Sequence, residues 1–549
     1  MTYYDDFLVE AGNTYTVTSA SDDGNEKVEW LCEEFWVDTK IVDLQSNTQE
    51  LVVAIKIDGE TILTEPIPRG RLMKSPIPEL SEYGLSVAVT PVYNTTVAEI
   101  LIETEKNAPV QYQHKVLGFA RLPSTGEQVF LGHKPIGPVP PHRVDSTYSK
   151  PDKVLPRGTL ESYKQVLQEE VAGRLNLILA LAIAVTPLLL YLLRNAGVLY
   201  DLPIFVFVGP SSTGKTTALR LIASVYGLPI ERSGLIGDFN ATLKALTARF
   251  AGMQGMPLIL DEATSADIDF KRLVLALSTG YDRERCRSDG SVEDAASFCG
   301  SFIISSEHSL FEDDYGESGA TARVVELNLP WTDDADHARS LEQKLLENCG
   351  TAVKPLVVQL LKRHDKLPGY FKTALNYLGK KNFARSSVEG RKLKVYALIL
   401  VAAMFVKIIL GVDIGYTQLT ELIIAQHETH RPPEEETDKV ARLYETIKTY
   451  VTHNRGSFTR DTPSRQSNGP FWNTRGELSK QDGISCAWIP KDDLDKLIKD
   501  FGFLKPVEAR QKLAERGWLF RTKDRHYWLP HTFGDTGKMD AYCVLLPDS

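Results

Sequence analysis

The spacing of apolar residues divides the chain into segments with different expected structures. Residues 1–134 alternate short β-rich stretches, such as NTYTVTSA and ELVVAIKIDGETILTEPI, with turns rich in Asp, Gly, Asn or Pro. One helical pattern interrupts them at Thr96–Thr104. These features predict an N-terminal α+β accessory domain over residues 1–134.

The next segments differ in composition. Residues 135–158 contain six prolines and few large apolar residues, which predicts a linker. Helical patterns, a set of apolar strands and further helical patterns follow over residues 159–425, where we predict a P-loop ATPase with preceding helices and a helical lid. The polar stretch RPPEEETD then marks a boundary, and residues 439–549 form a smaller domain.

Two apolar stretches are long enough to raise the question of a membrane span. Leu177–Leu193 is 17 residues long, contains Thr186 and Pro187, and lies at the short end of the length that crosses a bilayer of about 30 Å. Val395–Leu410 is shorter and contains Lys407. We predict that both are buried helices and that the protein has no stable membrane insertion.

A phosphate-binding motif follows an apolar strand. Ile204–Val208 reads IFVFV, and the sequence GPSSTGKTTALRLIASVYG comes next with helical spacing, which is the strand–GxxxxGK[ST]–helix arrangement. Lys215 is expected to reach the β- and γ-phosphates of ATP, and the Thr216 hydroxyl to bind Mg²⁺. The predicted nucleotide-binding residues are Gly209, Pro210, Ser211, Ser212, Thr213, Gly214, Lys215, Thr216 and Thr217.

Two acidic residues follow a second apolar strand about forty-five positions later. In MPLILDEAT the strand ends at Asp261 and Glu262, where parallel strands deliver side chains to one edge of the sheet. We predict that Asp261 holds Mg²⁺ and that Glu262 polarises the attacking water. A solvated turn is the alternative for an isolated Asp-Glu pair.

Two further residues are candidates for sensing the γ-phosphate. Ser306 lies at the polar end of the strand SFIISS, where the alternative is an ordinary strand end. Arg323 precedes another strand and could reach the nucleotide of a neighbouring subunit, or form a plain surface salt bridge.

Candidate DNA contacts occur in two places. Arg283, Arg285 and Arg287 alternate before an Asp-Gly turn, which would put them on one side of a hairpin, although interleaved acidic residues make a self-neutralising surface hairpin an equal alternative. Near the C-terminus, a helix from Pro506, a stop at Gly517, a strand at Trp518–Phe520, a charged turn and a returning strand predict a winged-helix-like domain. Its candidate contacts are Lys505, Arg510, Lys512, Arg521, Lys523 and Arg525. A winged helix that contacts proteins is the alternative.

Composition adds constraints on partners and location. The net charge is -10, which is unfavourable for DNA binding, but residues 451–549 carry 16 Lys+Arg against 13 Asp+Glu. Any DNA contact must therefore be local, or be built by the loops of an oligomer. The six cysteines lack the spacing of a structural zinc site. No signal peptide is visible at the N-terminus, and we predict a cytoplasmic protein.

The ordered motifs FVGPSSTGKTTALRLIASVYG, PLILDEATSAD, LSTGYDRERCRSDGS, FIISSEHSL and ATARVVELNLP resemble a helicase-like ATPase family of phages, plasmids and mobile islands, long known only as a domain of unknown function. The family is related to hexameric superfamily 3 and mini-chromosome-maintenance helicases, and the resemblance covers residues 5–530. Family members commonly have a glycine and a Lys-Arg pair where this chain has Gly280 and DRERCR.

The resemblance implies an AAA+/RecA-like α/β core, ATP and Mg²⁺ as cofactors, and a homo-oligomeric, hexameric ring with single-stranded DNA in its pore. The implied activity is DNA unwinding or replication initiation, with priming left to a separate primase. The alternative is a nucleotide-dependent switch or defence ATPase that acts on protein partners.

Overall fold

The computed structural model divides the chain into two compact units, residues 1–310 with 319–429, and residues 311–318 with 430–549. Each unit is described by itself. The structure describes residues 9–546 except for the following gaps: 11–13, 21–25, 89–92, 123–125, 138–145, 240–242, 264–269, 281–284, 287–291, 294–296, 311–322, 382–386, 430–438, 461–474, 482, 504–505, 523–526 and 534–537.

The first unit begins with β-structure and three helices. The strands are β1 Val9–Glu10, β2 Thr14–Ala20, β3 Glu26–Glu33, β4 Phe35–Asp43, β5 Gln49–Ile57, β6 Glu60–Leu63, β7 Ile67–Pro68, β8 Val110–His114, β9 Gly118–Arg121, β10 Gln128–Leu131, β11 Pro135–Ile136 and β12 Thr147–Tyr148. The helices are α1 Arg69–Lys74, α2 Pro76–Ser81 and α3 Tyr93–Glu105, which contains the predicted Thr96–Thr104 helix.

These strands form two sheets of their own and also extend a third. β1–β3 pair in order, and the second sheet has the order β12-β8-β4-β5-β6, with β7 on β5. In β4, buried positions alternate with half-buried ones, the period-two pattern of a strand with one face in a core. The helices supply Leu72, Leu80 and Leu101 to that core.

Strands β9, β10 and β11 belong to the central sheet rather than to the N-terminal sheets. Gly118 of β9 has φ +106°, and a Cβ there would lie 2.1 Å from the Gln254 carbonyl oxygen, so the close approach of the two strands requires glycine. The central sheet therefore draws on part of the range predicted as an accessory domain, and regular structure continues into the range predicted as a linker.

The remainder of the first unit contains the central parallel sheet and the helices around it. Its elements are α4 Leu160–Val166, a π-helical turn Leu167–Val171, α5 Leu175–Asn195, β13 Ile204–Val208, α6 Lys215–Ser224, β14 Ile236–Asp238, α7 Leu243–Phe250, β15 Gln254–Asp261, α8 Phe270–Thr279, β16 Arg285–Cys286, β17 Val292–Glu293, β18 Cys299–Ser306, β19 Val324–Asn328, α9 Ala335–Glu347, α10 Val353–Lys362, α11 Leu367–Gly379, α12 Ser387–Phe405, a π-helical turn Val406–Leu410 and α13 Tyr416–Thr429.

Five parallel strands form the heart of this sheet, in the order β14-β15-β18-β13-β19. The chain leaves β13 for one side of the sheet and returns later to its other side at β19. Such a reversal creates a crevice at the carboxyl ends of the strands, where open α/β sheets bind ligands. The predicted mixed α/β class is confirmed, and the site lies at this crevice.

Two helices are long and apolar enough to cross a membrane, α5 and the stretch Glu389–Leu410. Their apolar windows are 83% and 72% buried inside the protein. In α5 the Thr186 hydroxyl lies 2.8 Å from the Ser301 hydroxyl of β18, so the helix packs directly behind the sheet. This burial is what a core helix of a folded domain shows, in agreement with the predicted packing.

The second unit is a small α/β domain. Its elements are α14 Lys439–His453, β20 Phe458–Arg460, β21 Gly476–Gln481, β22 Ile484–Pro490, α15 Lys491–Asp500, α16 Pro506–Glu515, β23 Leu529–Thr532 and β24 Lys538–Leu545, with the sheet order β20-β21-β22-β24-β23. The helix predicted from Pro506 is α16. The strand predicted at Trp518–Phe520 is wrong, because only a single bridge, Leu519 to Val544, occurs there.

Candidate nucleotide site

The phosphate-binding motif forms a tight loop between β13 and α6. Gly209 and Gly214 have φ +147° and +79°, backbone conformations that side chains disfavour. A Cβ on Gly214 would lie 2.5 Å from the Thr332 hydroxyl oxygen and 3.0 Å from the Thr332 nitrogen. The backbone N–H of Trp331 also donates to the Thr213 carbonyl at 2.8 Å, so the segment after β19 packs against the outside of the loop.

The Lys215 ammonium lies within this loop. It donates to the carbonyl oxygens of Gly209 at 2.5 Å and Pro210 at 2.8 Å. Burial lowers the pKa of Lys215, while the nearby carboxylates of Glu307 and Asp261 act in the opposite direction. The positive charge is therefore held where the loop surrounds it, at the amino end of α6, which favours anions.

The structure brings Thr216 and Asp261 together across 45 positions of sequence. The Thr216 hydroxyl donates to Asp261 Oδ2 at 3.0 Å. Asp261 ends β15 and is only 8% exposed, so its carboxylate faces the first turn of α6 rather than solvent. A hydroxyl and a carboxylate in contact offer two oxygen ligands that suit Mg²⁺, which usually binds one or two protein oxygens together with phosphate oxygens and water.

Ser305 organises both acidic residues and was missed by the sequence prediction. Its hydroxyl donates to Asp261 Oδ1 and accepts the Glu262 N–H at 2.9 Å. β18 runs parallel beside β15, with Ile304 opposite Leu260, so Ser305 is the next residue toward the edge that holds Asp261. Glu262 itself has φ +62°, a strained conformation for a residue other than glycine that is found preferentially at functional sites.

Ser306, the predicted sensor, makes a different contact. Its hydroxyl donates to the His308 carbonyl at 2.7 Å, within the turn that follows β18. The Gly209 N–H points at the Ser306 carbonyl at 3.3 Å, so Ser306 touches the loop through its backbone. The next residue, Glu307, accepts a hydrogen bond from the Ser211 hydroxyl of the loop.

A polar network supports the first turns of α6 from behind. The Thr217 hydroxyl donates to Glu342 of α9 at 2.6 Å, and Arg220 bonds both Glu342 and Glu231, the latter at 2.9 Å. Thr217, named among the nucleotide-binding residues, therefore points toward α9 and is 3% exposed. Among the predicted nucleotide-binding residues, Thr217 therefore stabilises α6 and does not line the phosphate-binding loop.

Arg323 lies at the opposite edge of the sheet from the phosphate loop. β13 and β19 run parallel with Ile204 opposite Val324, so Arg323 sits at their amino ends. Its guanidinium is 3.8 Å from the Asp201 carboxylate, the surface salt bridge considered as an alternative. Five residues of strand, roughly 17 Å, separate it from the loop of its own chain.

The candidate DNA contacts are only partly within the described residues. β16 and β17 pair antiparallel, with Arg285 opposite Glu293, as a hairpin requires. The residues Arg283, Arg287, Lys505, Lys523 and Arg525, and the side chain of Arg285, lie outside what the structure describes. Lys512 and Arg521 are exposed. Arg510 is 11% exposed and its guanidinium bonds Asp495 at 2.9 Å, so this side chain is part of the fold.

The loop and its surroundings fit MgATP. Gly209 and Gly214 adopt the positive φ values that let the loop backbone curl, a lysine ammonium lies inside the loop, and Thr216 with Asp261 could supply oxygen ligands. Among the described residues, no group of three or more His, Cys, Asp or Glu side chains could hold a metal alone.

Two solved structures can be compared with this chain. A solved structure described as "SCCmec type IV Cch - active helicase" has a TM-score of 0.67 and 20% identity, covering 99% of this chain and 97% of that one, so the fold is shared throughout. A structure of the NrS-1 C terminal region, at 12% identity over 72% of this chain and 92% of that one, has a TM-score of 0.22, too low for any argument. No curated protein matches the chain.

Two family models match the sequence. That of the Cch helix turn helix domain matches residues 438–549, which confirms a helix-turn-helix domain where the winged-helix-like domain was predicted. That of a domain of unknown function, DUF927, matches residues 7–297, more than half of the 549 residues. The chain therefore belongs to the DUF927 family.

Proposed function

We propose that the chain hydrolyses MgATP at the loop of residues 209–216 and uses the energy to move on DNA, as a helicase or replication initiator of a mobile genetic element. The observation that carries the proposal is the contact of Thr216 with Asp261, joined through Ser305 to Glu262. A phosphate loop, a metal-binding pair and a water-activating carboxylate then meet at one edge of one sheet.

In this mechanism the chain's own residues position the nucleotide and polarise the attacking water. Lys215 and the loop N–H groups hold the β- and γ-phosphates, and Thr216 and Asp261 hold the metal, which supplies neutralisation of phosphate charge when bound. Glu262 accepts a proton from the attacking water. The strain at Glu262 and its N–H bond to Ser305 fix the backbone from which that carboxylate extends.

The remaining assignments follow the same proposal. The strand order β14-β15-β18-β13-β19 suits an AAA+-like core, and the distance of Arg323 from its own loop suits action on a neighbour's nucleotide in a ring. Ser306 would sense the γ-phosphate through the loop. We further propose the two N-terminal sheets as an accessory domain, residues 159–425 together with β9–β11 as the ATPase, and residues 439–549 as the winged-helix-like domain of a cytoplasmic ring, with a separate primase.

DNA as the partner is supported by three features. The C-terminal domain matches a helix-turn-helix model, a fold that places helices on DNA. The structure that shares the fold is described as an active helicase. The hairpin of β16 and β17 would carry Arg285 toward single-stranded DNA in a central pore. A nucleotide-dependent switch acting on protein partners is the second candidate, and its ATP hydrolysis need not respond to DNA.

Unwinding is the direct test of this proposal. We expect the purified full chain, with ATP and Mg²⁺, to displace a labelled strand from a forked duplex, and its ATP hydrolysis to rise when single-stranded DNA is added. A non-hydrolysable ATP analogue should support no displacement. Hydrolysis that is unaffected by DNA, together with no strand displacement at any concentration, would favour the switch instead.

Ser305 and its neighbour provide a test of the site geometry. We expect Ser305→Ala to lower the rate of ATP hydrolysis by roughly 5- to 150-fold, because losing a partner in a buried hydrogen-bond network costs about 1–3 kcal/mol. Steady-state hydrolysis measures this effect. Ser306→Ala is the matched control, and it should reduce the rate less because its hydroxyl bonds the His308 carbonyl. A larger loss in Ser306→Ala would restore Ser306 as the principal contact.

A further inference from the structure

The C-terminal domain concentrates cations over aromatic rings in one short segment. Arg516 lies over Trp518 at 5.2 Å, Arg521 over Tyr527 at 5.3 Å, and Lys491 over Trp528 at 5.4 Å from the ring centroids. Energetically significant cation–π pairs occur about once per 70–80 residues. Trp518, Tyr527 and Trp528 each carry one such contact, so residues 516–522 and 527–528, named here the edge segment, are dense in cations over rings.

The edge segment follows the outer side of β24. Leu519 bridges Val544, and Leu529, directly after the segment, pairs with Ala541, so the chain runs antiparallel to β24 at both points. The two partners on β24, Ala541 and Val544, are three residues apart. Leu519 and Leu529, which pair with them, are ten residues apart. Arg521 and Tyr527, which lie on either side of residues 523–526, contact each other.

The rings are held firmly and the cations lie outermost. Trp518 stacks on Tyr444 of α14 with centroids 4.5 Å apart and an interplanar angle of 8°, and Lys448 lies over Tyr444 at 5.2 Å. The three aromatic residues of the segment pack on the domain's hydrophobic core, whereas the side chains of Arg516 and Arg521 are exposed. The segment therefore presents guanidinium planes on rigid aromatic supports.

The helix expected to read duplex DNA offers much less positive charge. In a helix-turn-helix domain the second helix enters the major groove, and here that helix is α16. Its exposed side chains include one lysine and two glutamates: Val507, Glu508, Gln511, Lys512 and Glu515. Arg510 of the same helix is held by Asp495. Phosphate binding draws on Lys and Arg, so this face is a weak site for a duplex.

We propose that the edge segment binds single-stranded DNA, with the guanidinium planes of Arg516 and Arg521 stacking on unpaired bases and donating to adjacent phosphates. Arginine planes and aromatic side chains suit unpaired bases because the base faces are accessible only outside a duplex. This inference rests on the proposed function, since it names the form of DNA that the C-terminal domain would hold.

DNA affinity measured without nucleotide tests binding by the edge segment independently of ATP hydrolysis. The probe is a fluorescent oligo(dT) strand, compared with a duplex of equal length, and binding to the full chain is followed by anisotropy at several salt concentrations. We expect the double variant Arg516→Ala/Arg521→Ala to bind oligo(dT) roughly 10- to 100-fold more weakly. Its salt slope should fall by about 1.4, which corresponds to two phosphate contacts on a single strand.

Two further variants separate stacking from charge. Arg516→Lys/Arg521→Lys keeps both charges but lacks the planes, so it should keep the salt slope and still lose affinity. Lys496→Ala/Lys499→Ala removes two exposed charges from α15 in the same domain, and it should bind oligo(dT) as the unmodified chain does. Thermal unfolding of each variant checks that the domain remains folded.

The outcomes are distinguishable from those for the motor. An equal loss in the α15 control, unchanged affinity in Arg516→Ala/Arg521→Ala, or tighter binding of the duplex through the same arginines would overturn the proposal. Photocrosslinking with an iodouracil-containing strand should label peptides that contain Trp518 or Tyr527, and labelling confined to residues 1–429 would also overturn it. A chain that binds oligo(dT) through this segment but does not unwind would contradict only the proposed motor.

Discussion

Glu262→Gln is expected to lower the rate of ATP hydrolysis by roughly 10²- to 10⁴-fold while leaving ATP binding intact. Glutamine has nearly the shape of glutamate but cannot accept the proton of the attacking water. The Glu262 N–H bond to Ser305 involves the backbone and survives the change. Lys215, Thr216 and Asp261 are also untouched, so affinity for ATP, measured with a fluorescent nucleotide, should remain near that of the unmodified chain.

The matched control is Glu307→Gln, which neutralises the other carboxylate close to the phosphate loop. Glu307 bonds the Ser211 hydroxyl and acts electrostatically on Lys215, so its loss should change nucleotide affinity more than the rate of hydrolysis. Single-turnover hydrolysis with excess protein separates the two effects. If Glu307→Gln stopped hydrolysis and Glu262→Gln did not, the proton acceptor would be Glu307.

The parts of the site that the sequence predicts best are those fixed by local backbone constraints. The loop around Gly209 and Gly214 needs particular φ values and close approaches, so its residue pattern is readable without a structure. The contact between Thr216 and Asp261 follows because parallel strands end at one edge. The loop depends on one strand, one turn and one helix, and the contact depends in addition only on the parallel direction of the strands.

The features that the sequence does not predict depend on pairing between distant segments. Ser305 and Ser306 are adjacent and chemically identical, and only the register of β18 against β15 decides which one meets Asp261. A shift of one residue would exchange their faces. The extension of the central sheet by β9–β11 also depends on distant segments. The close approach of Gly118 to Gln254 requires a glycine, but a glycine alone does not predict which strand it will meet.

The C-terminal domain shows the same limit. The helix α16 begins at its predicted proline, a local signal, whereas Trp518–Phe520 has the composition of a strand and forms only one bridge. The charge of Arg510 alone predicts a DNA contact. In the structure the Arg510 guanidinium forms an ion pair with Asp495 of the preceding helix, and the spacing of these two residues in the sequence does not predict that pair.

Lys215→Ala is expected to weaken ATP binding by roughly 10²- to 10⁴-fold, because hydrogen bonds to charged groups contribute about 1.5–3 kcal/mol each and the ammonium can serve two phosphates. Burial lowers the pKa of Lys215, and bound phosphate would raise it again, so binding takes up a proton at alkaline pH. Affinity should therefore be complete below the lowered pKa and decline as pH rises through the pKa of the bound state. The alanine variant should lack this alkaline decline.

Thermal unfolding with and without nucleotide provides the clearest measurement for this variant. Lys215 is half-buried and desolvation lowers its pKa, so its charge does not favour the folded state, and the unfolding temperature of Lys215→Ala without nucleotide should stay close to that of the unmodified chain. A ligand at about 100 times its dissociation constant stabilises a protein by about 2.7 kcal/mol, and the variant should lose most of that gain. Lys215→Arg, which keeps the charge on a planar group, should retain part of it. Full stabilisation of Lys215→Ala by MgATP would show that the nucleotide binds elsewhere.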